Sequence, residues 1–198
     1  MASPSLVLIL AAGEGTRMRS SIPKVLHPVL GRPMLGHVLQ AAQSLNPSHI
    51  AVVTGAGRED VETWLAAEWP HVLTTVQAER HGTGHAVRVA LDDLEARGVA
   101  IGGEVVVLTG DTPLLTGATL EALIATHRAE AASVTVLTAL LSDPSGYGRI
   151  VRDESGAVAS IVEHKDASEQ QRSIAEINSG IYVFCLLYTS PSPRDVEE

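Results

Sequence analysis

Residues 8–18 read LILAAGEGTRM, an apolar run that stops at two glycines separated by one residue and followed by Arg17. A short continuous apolar run is typical of a strand buried on both faces of a sheet. A dinucleotide fingerprint needs a third glycine where this chain has Met18, and Pro23 opposes an immediate helix. The stretch favours a glycine loop whose backbone N–H groups face a phosphate chain. A strand-to-helix turn with solvated basic residues is the other interpretation.

Two basic side chains, Arg17 and Lys24, follow these glycines. The arginine offers a planar fork to phosphate oxygens, and the lysine supplies a compact positive charge. The chain as a whole carries a formal net charge of −9, which argues against a general surface for nucleic acid or anionic membrane. An anionic substrate would therefore need a local basic site of this kind.

The next residues along the chain alternate between strand and helix patterns. Hydrophobic residues make up 45% of the chain and aromatic residues only 3%, so the core is expected to consist of Ala, Val, Leu and Ile. The alternation predicts an α/β fold with a doubly wound, mostly parallel, Rossmann-like sheet. Strands are predicted at 6–10, 49–54, 72–77 and 104–109, and helices at 33–45, 59–68, 82–97 and 116–130.

After residue 133 the pattern changes to strands at 134–141, 149–151, 157–162 and 177–184. The middle two are predicted to form a β-hairpin subregion. Residues 185–198, CLLYTSPSPRDVEE, are expected to form an atypical, extended Pro/Ser tail. The single cysteine excludes an internal disulfide, and the start of the chain lacks the basic region of a signal peptide, so we expect a cytoplasmic protein.

Thr109-Gly110-Asp111 ends the third long apolar strand. Ligands of open α/β sheets bind beyond the carboxyl ends of the strands, and a carboxylate at that edge is suited to Mg²⁺, which takes oxygen ligands. The alternative is that Asp111 caps the turn formed with Thr112 and Pro113.

The segment 77–86, QAERHGTGHA, is a second candidate for ligand binding. The amide of Gln77 can read a base edge through its donor and acceptor. Gly82 would let a base approach the backbone, and Thr83 is predicted to be a helix N-cap. An ordinary loop before a capped helix is the alternative.

Two further polar residues near strand ends allow two interpretations each. Glu163 belongs to a solvated charged patch or faces the ligand edge of the sheet, and Asn178 is a turn amide or a reader of hydroxyl groups. The histidines show no zinc-ligand spacing with a cysteine, and no serine elbow or Cys–His arrangement indicates a covalent nucleophile.

Taken together, seven segments resemble the sugar-phosphate nucleotidyltransferase family, and most of all its uridylyltransferase domains for N-acetylglucosamine 1-phosphate. The segments occur in order and span about residues 5–184. They read LAAGEGTRM, PKVLHPVLGRPML, QAERHGTGHA, LTGDTPLL, DPSGYGRIV, IVEHKDAS and EINSGIYVF.

The resemblance implies transfer of a uridylyl group from UTP to N-acetylglucosamine 1-phosphate, with Mg²⁺ as cofactor and release of pyrophosphate. It implies catalytic roles for Arg17 and Lys24, which would hold the triphosphate, and for Asp111, which would ligate the metal. The residues implied in substrate binding are Leu10, Ala11, Ala12, Gly13, Gln77, Gly82, Thr83, Thr109, Gly110, Gly148, Glu163 and Asn178.

The chain departs from the family pattern after Phe184, where the family continues into a region that completes the sugar site and supplies an asparagine to the metal. We therefore expect residues 1–184 to form a nucleotidyltransferase domain that is incomplete at its C-terminal end. A nucleotide-binding fragment without activity and a transferase for another sugar 1-phosphate are the alternatives. Full-length relatives are expected to be homo-oligomers, with no nucleic-acid or membrane partner.

Overall fold

The computed structural model describes residues 3–13, 18, 20–55, 57–79 and 81–186. The chain divides into two compact units, one drawn from residues 1–135 and 183–198 and the other from residues 136–182. Most of the predicted tail, residues 187–198, lies outside the described residues. Cys185 is the last residue of a strand, and the backbone N–H of Leu186 donates to the Gly103 carbonyl at 2.9 Å.

The first unit alternates strands with helices, as the sequence predicts. A short 3₁₀ helix, Lys24–Leu26, and a two-stranded ribbon precede its first α-helix. The elements are β1 (Leu6–Leu10), β2 (Pro28–Val29), β3 (Arg32–Pro33), α1 (Met34–Gln43), β4 (His49–Thr54), α2 (Glu59–Glu68), β5 (Leu73–Val76), α3 (Thr83–Ala96), β6 (Glu104–Thr109) and α4 (Gly117–Ala129).

The sheet of this unit is parallel, with strand order β5-β4-β1-β6. Leu6 of β1 is in register with His49 of β4 and with Val105 of β6. Residues 6–9 are fully buried, because helices cover both faces of such a sheet. The predicted α/β fold with a mostly parallel sheet is confirmed, and the parallel arrangement brings the carboxyl ends of the four strands to one edge.

The second unit is built from antiparallel strands. Its elements are β7 (Val134–Leu140), β8 (Arg149–Arg152), β9 (Val158–Val162), α5 (Glu169–Arg172) and β10 (Glu176–Cys185), although the ends of β7 and β10 belong to the first unit. β8 and β9 form the predicted hairpin, and β10 pairs with β8 and with β7. The one-turn helix α5 is absent from the prediction, although Ser168 and Gln171 form a capping box.

Within the described part of the chain, no helix is both long enough and apolar enough to cross a membrane.

A buried histidine in the last turn of α4 gives this fold a dependence on pH. The side chain of His127 is 3% exposed, and its Nδ1 lies 2.8 Å from the Thr135 hydroxyl. The pKa of His127 lies below its ordinary value of 6.5, chiefly because burial disfavours the charged ring; Glu104 raises this pKa and Arg128 lowers it. Since the unfolded chain binds this proton more readily than the folded chain, acid favours unfolding.

We expect the free energy of unfolding to be independent of His127 above pH 6.5 and to fall as the pH drops below that value. His127→Asn keeps a polar group near Thr135 but does not titrate. Urea denaturation of both proteins at pH 7.5 and pH 5.5 checks this, and the difference between the two pH values should be smaller in the variant. An equal difference in both proteins would assign the acid sensitivity to other groups.

Candidate functional site

The segment after β1 lies against the end of β4. The Ala11 N–H donates to the Val53 carbonyl at 2.8 Å, so the chain stays paired with β4 for one residue beyond Leu10. A Cβ built on Gly55 would lie 2.9 Å from the Ala12 carbonyl oxygen, closer than real Cβ atoms come. The close approach of these two loops therefore requires glycine at position 55.

An open depression with a cavity volume of about 170 Å³ lies beside this segment. Three of the predicted nucleotide-binding residues, Ala11, Ala12 and Gly13, line it. Arg17, the predicted triphosphate ligand, lies outside the described residues. The other described residues that line the depression are Ser20, Ser21, Ile22, Pro23, Thr54, Gly55, Gly57, Arg58 and Val61.

Lys24 and Asp111 are in direct contact. The 3₁₀ helix that follows Pro23 begins at Lys24, whose Nζ donates to Oδ2 of Asp111 at the end of β6. The two side chains are 39% and 32% exposed, so both remain accessible to a ligand. The Gly110 N–H donates to the Leu10 carbonyl at 2.9 Å, which fixes the segment containing Asp111 beside β1.

The turn after β6 is held by a hydroxyl group. Thr112 Oγ1 donates to the Thr109 carbonyl at 2.9 Å, and it lies 3.4 Å from the Thr109 hydroxyl. The carboxylate of Asp111 bonds instead to a lysine that lies 87 residues away in sequence. Among the described residues, the Asp111 side chain therefore bonds to Lys24, and the turn is held by Thr112.

The residues at this edge fit Mg²⁺ in one particular mode. Among the described residues, no group of three or more His, Cys, Asp or Glu side chains could hold a metal ion. Mg²⁺ commonly takes one or two protein carboxylates and completes its shell with water and substrate phosphates. Asp111 can supply one such carboxylate.

The side chain of Gln77 is held in a fixed orientation. It is 5% exposed, and its Nε2 donates to the Gly82 carbonyl at 3.3 Å and to His85 Nδ1 at 3.2 Å. Because both amide protons are engaged, the oxygen is the atom suited to accept from a ligand N–H group. His85 is missing from the sequence-based site; it lies in the first turn of α3, and its Nδ1 faces Gln77 Nε2.

The prediction that Thr83 is an N-cap is wrong. α3 begins at Thr83, and the N-cap is Gly82, whose φ of +92° lies in a region that L side chains rarely adopt. The Gly82 carbonyl accepts from the Ala86 N–H at 3.2 Å and so opens the helix without a side-chain cap. A Cβ at Gly82 would meet no described atom within 4 Å, which leaves the backbone there open to a ligand.

In the second unit, three predicted substrate-binding residues meet. A Cβ on Gly148 would lie 3.3 Å from Glu163 Oε1 and 3.6 Å from the Cβ of Asn178. The Asn178 N–H also donates to the Gly148 carbonyl at 2.9 Å. We call Gly148, Glu163 and Asn178 the Gly148 cluster. A side chain at position 148 would occupy the space in front of the carboxylate.

Tyr182 joins this cluster and is missing from the sequence-based site. Its hydroxyl and the Gly180 N–H both donate to Asn178 Oδ1, each at 2.9 Å. Burial raises the pKa of Tyr182; the hydrogen bond with Asn178 lowers this pKa, and the charge of Glu163 raises it. The signal was present in the sequence, because residues 178, 180 and 182 share one face of a strand.

Comparisons with known proteins agree with this architecture. A family model described as a MobA-like NTP transferase domain matches residues 7–174. The chain is 56% identical over 181 residues to the bifunctional protein GlmU of Thermobifida fusca, and 59% identical over 182 residues to that of Streptomyces coelicolor. Each match covers 91% of this chain, which spans 37% of the length of either relative.

A solved structure supports the same fold at much lower identity. HddC from Yersinia pseudotuberculosis, complexed with GMP-PN, has a TM-score of 0.68 and 22% sequence identity, over 96% of this chain and 81% of that one. At this level of identity the likeness concerns the fold alone.

Proposed function

The chain belongs to the MobA-like NTP transferase domain family, and we propose that it transfers a uridylyl group from UTP to N-acetylglucosamine 1-phosphate. Pyrophosphate leaves, and UDP-N-acetylglucosamine is the product. Residues 1–184 would provide the nucleotidyltransferase domain, and the reaction would take place in the cytoplasm, where UTP is made. For the full-length relatives, the proposal includes the formation of homo-oligomers.

The observation that carries the proposal is the contact between Lys24 and Asp111 at the carboxyl edge of the parallel sheet. It places a cation and a carboxylate side by side, next to the segment that contains Ala11, Ala12 and Gly13. A nucleoside triphosphate with its divalent ion requires this combination, because the phosphates need the cation and the ion needs the carboxylate.

The polar groups near the base and the sugar support the choice of substrates. Since the Gln77 Nε2 group contacts Gly82 and His85, the Gln77 oxygen would accept from a ring N–H, which uracil has. Gly82 and Thr83 would lie beside the base and ribose. In the second unit, the carboxylate of Glu163 and the amide of Asn178 are suited to sugar hydroxyl and N-acetyl groups. Thr109 and Gly110 would lie beside the nucleotide-sugar.

The proposed chemistry needs no covalent intermediate. An oxygen of the sugar phosphate attacks the α-phosphorus of UTP as the bond to pyrophosphate breaks, so one P–O bond replaces another. The attacking phosphate is already an anion, and a strong general base is unnecessary. Mg²⁺, when bound by Asp111, would neutralise phosphate charge, while Arg17 and Lys24 would bind the triphosphate and stabilise the departing pyrophosphate.

Pyrophosphate release tests the proposal directly. Each of UTP, CTP and ATP is paired with N-acetylglucosamine 1-phosphate and with glucose 1-phosphate, and UTP binding is titrated in parallel. We expect the highest kcat/KM for UTP with N-acetylglucosamine 1-phosphate. A higher value for another pair would replace the proposed substrates, and UTP binding without release from any pair would indicate a nucleotide-binding fragment.

A further inference from the structure

Arg149 is a buried charge to which the proposed reaction gives no role. It stands at the start of β8, directly after Gly148, and is only 1% exposed. It is also the first of the largest fully buried side chains of the described chain. Burying a guanidinium is costly unless its hydrogen bonds and charge are compensated, and an apolar side chain of similar volume is often no less stable at such a site.

The polar contacts of Arg149 are two backbone carbonyls and one imidazole. Nη1 donates to the Tyr147 carbonyl, and Nη2 donates to the Arg172 carbonyl at 3.3 Å and faces His164 Nδ1 at 3.4 Å. Nε has no hydrogen-bond partner among the described residues. The guanidinium therefore donates hydrogen bonds to two backbone carbonyls and contacts one imidazole.

One carboxylate that is influenced by the charge of Arg149 lies on the surface. The pKa of Asp143 is lowered mainly by hydrogen bonds from Ser145, and in smaller part by the charges of Arg149 and His164. Asp143 is exposed, so it compensates the buried charge only weakly. Simple ion pairing does not account for an arginine at position 149.

Each partner of Arg149 lies close in sequence to a member of the Gly148 cluster. Tyr147 precedes Gly148, and His164 follows Glu163. Arg172 ends α5, four residues before β10 begins at Glu176, and β10 contains Asn178. Side chains alternate along an extended chain, so Gly148 and Arg149 face opposite ways. A side chain at position 148 would face Glu163 and Asn178. The Arg149 side chain extends from the opposite face of the strand and links the three segments through its polar contacts.

We propose that Arg149 is a positioning residue for sugar recognition: its guanidinium fixes the three segments so that Glu163 and Asn178 stand at the right distance from Gly148. The inference rests on the proposed function, since it takes the Gly148 cluster to bind the N-acetylglucosamine unit. A planar fork that bonds several carbonyls at once is specific to arginine, and neither lysine nor methionine can replace it.

The test compares the affinities of UDP and UDP-N-acetylglucosamine by titration calorimetry. UDP also ends in a phosphate that carries one more negative charge, but this difference is the same for every variant. The change between wild type and variant in the ratio of the Kd of UDP to the Kd of UDP-N-acetylglucosamine therefore measures what a substitution does to binding of the sugar. In Arg149→Met we expect the ratio to fall about tenfold, the loss that corresponds to one hydrogen bond, with the Kd of UDP unchanged. In Arg149→Lys we expect a smaller fall of about threefold, because an ammonium group can keep one of the carbonyl bonds.

Arg152→Met is the matched control. Arg152 lies on the same strand and forms two hydrogen bonds with Glu176, at 2.9 and 2.7 Å. Its removal breaks an ion pair between β8 and the start of β10 but leaves the contacts of Arg149 with Tyr147, His164 and Arg172 in place, so the ratio should stay at the wild-type value.

The possible outcomes separate the two proposals. A Kd ratio that is unchanged from the wild type in either folded Arg149 variant overturns the positioning role. If such a variant has only a lower melting temperature, Arg149 is purely structural. If Arg149→Met does not fold, Arg149→Lys decides. If the wild type binds UDP-N-acetylglucosamine no more tightly than UDP-glucose, which differs only at C2 of the sugar, the proposed sugar is overturned, and the positioning role with it.

Discussion

Replacing Asp111 with asparagine is expected to lower the rate of pyrophosphate release from UTP by about 10³-fold. The amide is nearly the same size as the carboxylate but has no charge, so it binds Mg²⁺ far more weakly. The free energy of unfolding should change by less than about 1 kcal/mol, because the partly exposed pair with Lys24 contributes little to stability. Steady-state turnover and urea denaturation measure the two effects separately.

Asp93→Asn is the matched control for this substitution. Asp93 pairs with Arg97 on α3, and the two side chains are 41% and 43% exposed, close to the values for Asp111 and Lys24. We expect this variant to retain wild-type turnover. Mn²⁺ binding in the presence of UTP, followed by electron paramagnetic resonance, gives a readout that does not need turnover. Unchanged Mn²⁺ affinity in Asp111→Asn would remove Asp111 from the metal site.

The strands with continuous apolar sequence could be predicted to the residue. The bounds of β1, β4 and β6 agree with the predicted ones, as do those of α2. The reason is physical, since the middle of a strand buried on both faces must be apolar, and a glycine directly follows both β4 and β6. The pairing of β8 with β9 followed similarly from two short strands separated by a turn.

The shortest elements could not be predicted. The 3₁₀ helix Lys24–Leu26, the ribbon of β2 and β3, and α5 are two to four residues long. Such segments complete no period of hydrophobicity, so tertiary contacts decide their conformation. The prediction for Thr83 failed for a related reason, because the conformation of Gly82 opens α3 before a side chain is needed.

The directions of side chains limited how much of the candidate site could be predicted from the sequence. Parallel pairing was enough to place Gln77 and Asp111 at one sheet edge, because strand ends follow from the topology. Three other features depend on which way each side chain points. They are the contact of Tyr182 with Asn178, the burial of the Arg149 guanidinium, and the bond between Lys24 and Asp111. Residue type alone does not report that direction.

Replacing Lys24 with methionine should lower turnover by about 10²-fold, because the ammonium group would no longer stabilise the charge on the departing pyrophosphate. Methionine keeps most of the length of the side chain, and the pair it breaks is well exposed, so stability should again change by less than about 1 kcal/mol.

The contact between Lys24 and Asp111 adds a second consequence that turnover alone does not reveal. Lys24 bonds to the same carboxylate that would bind the metal, so the ammonium group and a divalent ion compete for Asp111. Lys24→Met should therefore bind Mn²⁺ more tightly than the wild type when no nucleotide is present, although its turnover is lower. In the double variant with Asp111→Asn this gain should disappear, because the carboxylate that the two cations share is gone. Equal Mn²⁺ affinity in Lys24→Met and wild type would show that the ion does not use Asp111, whereas a collapse of the melting temperature would make the pair a structural contact.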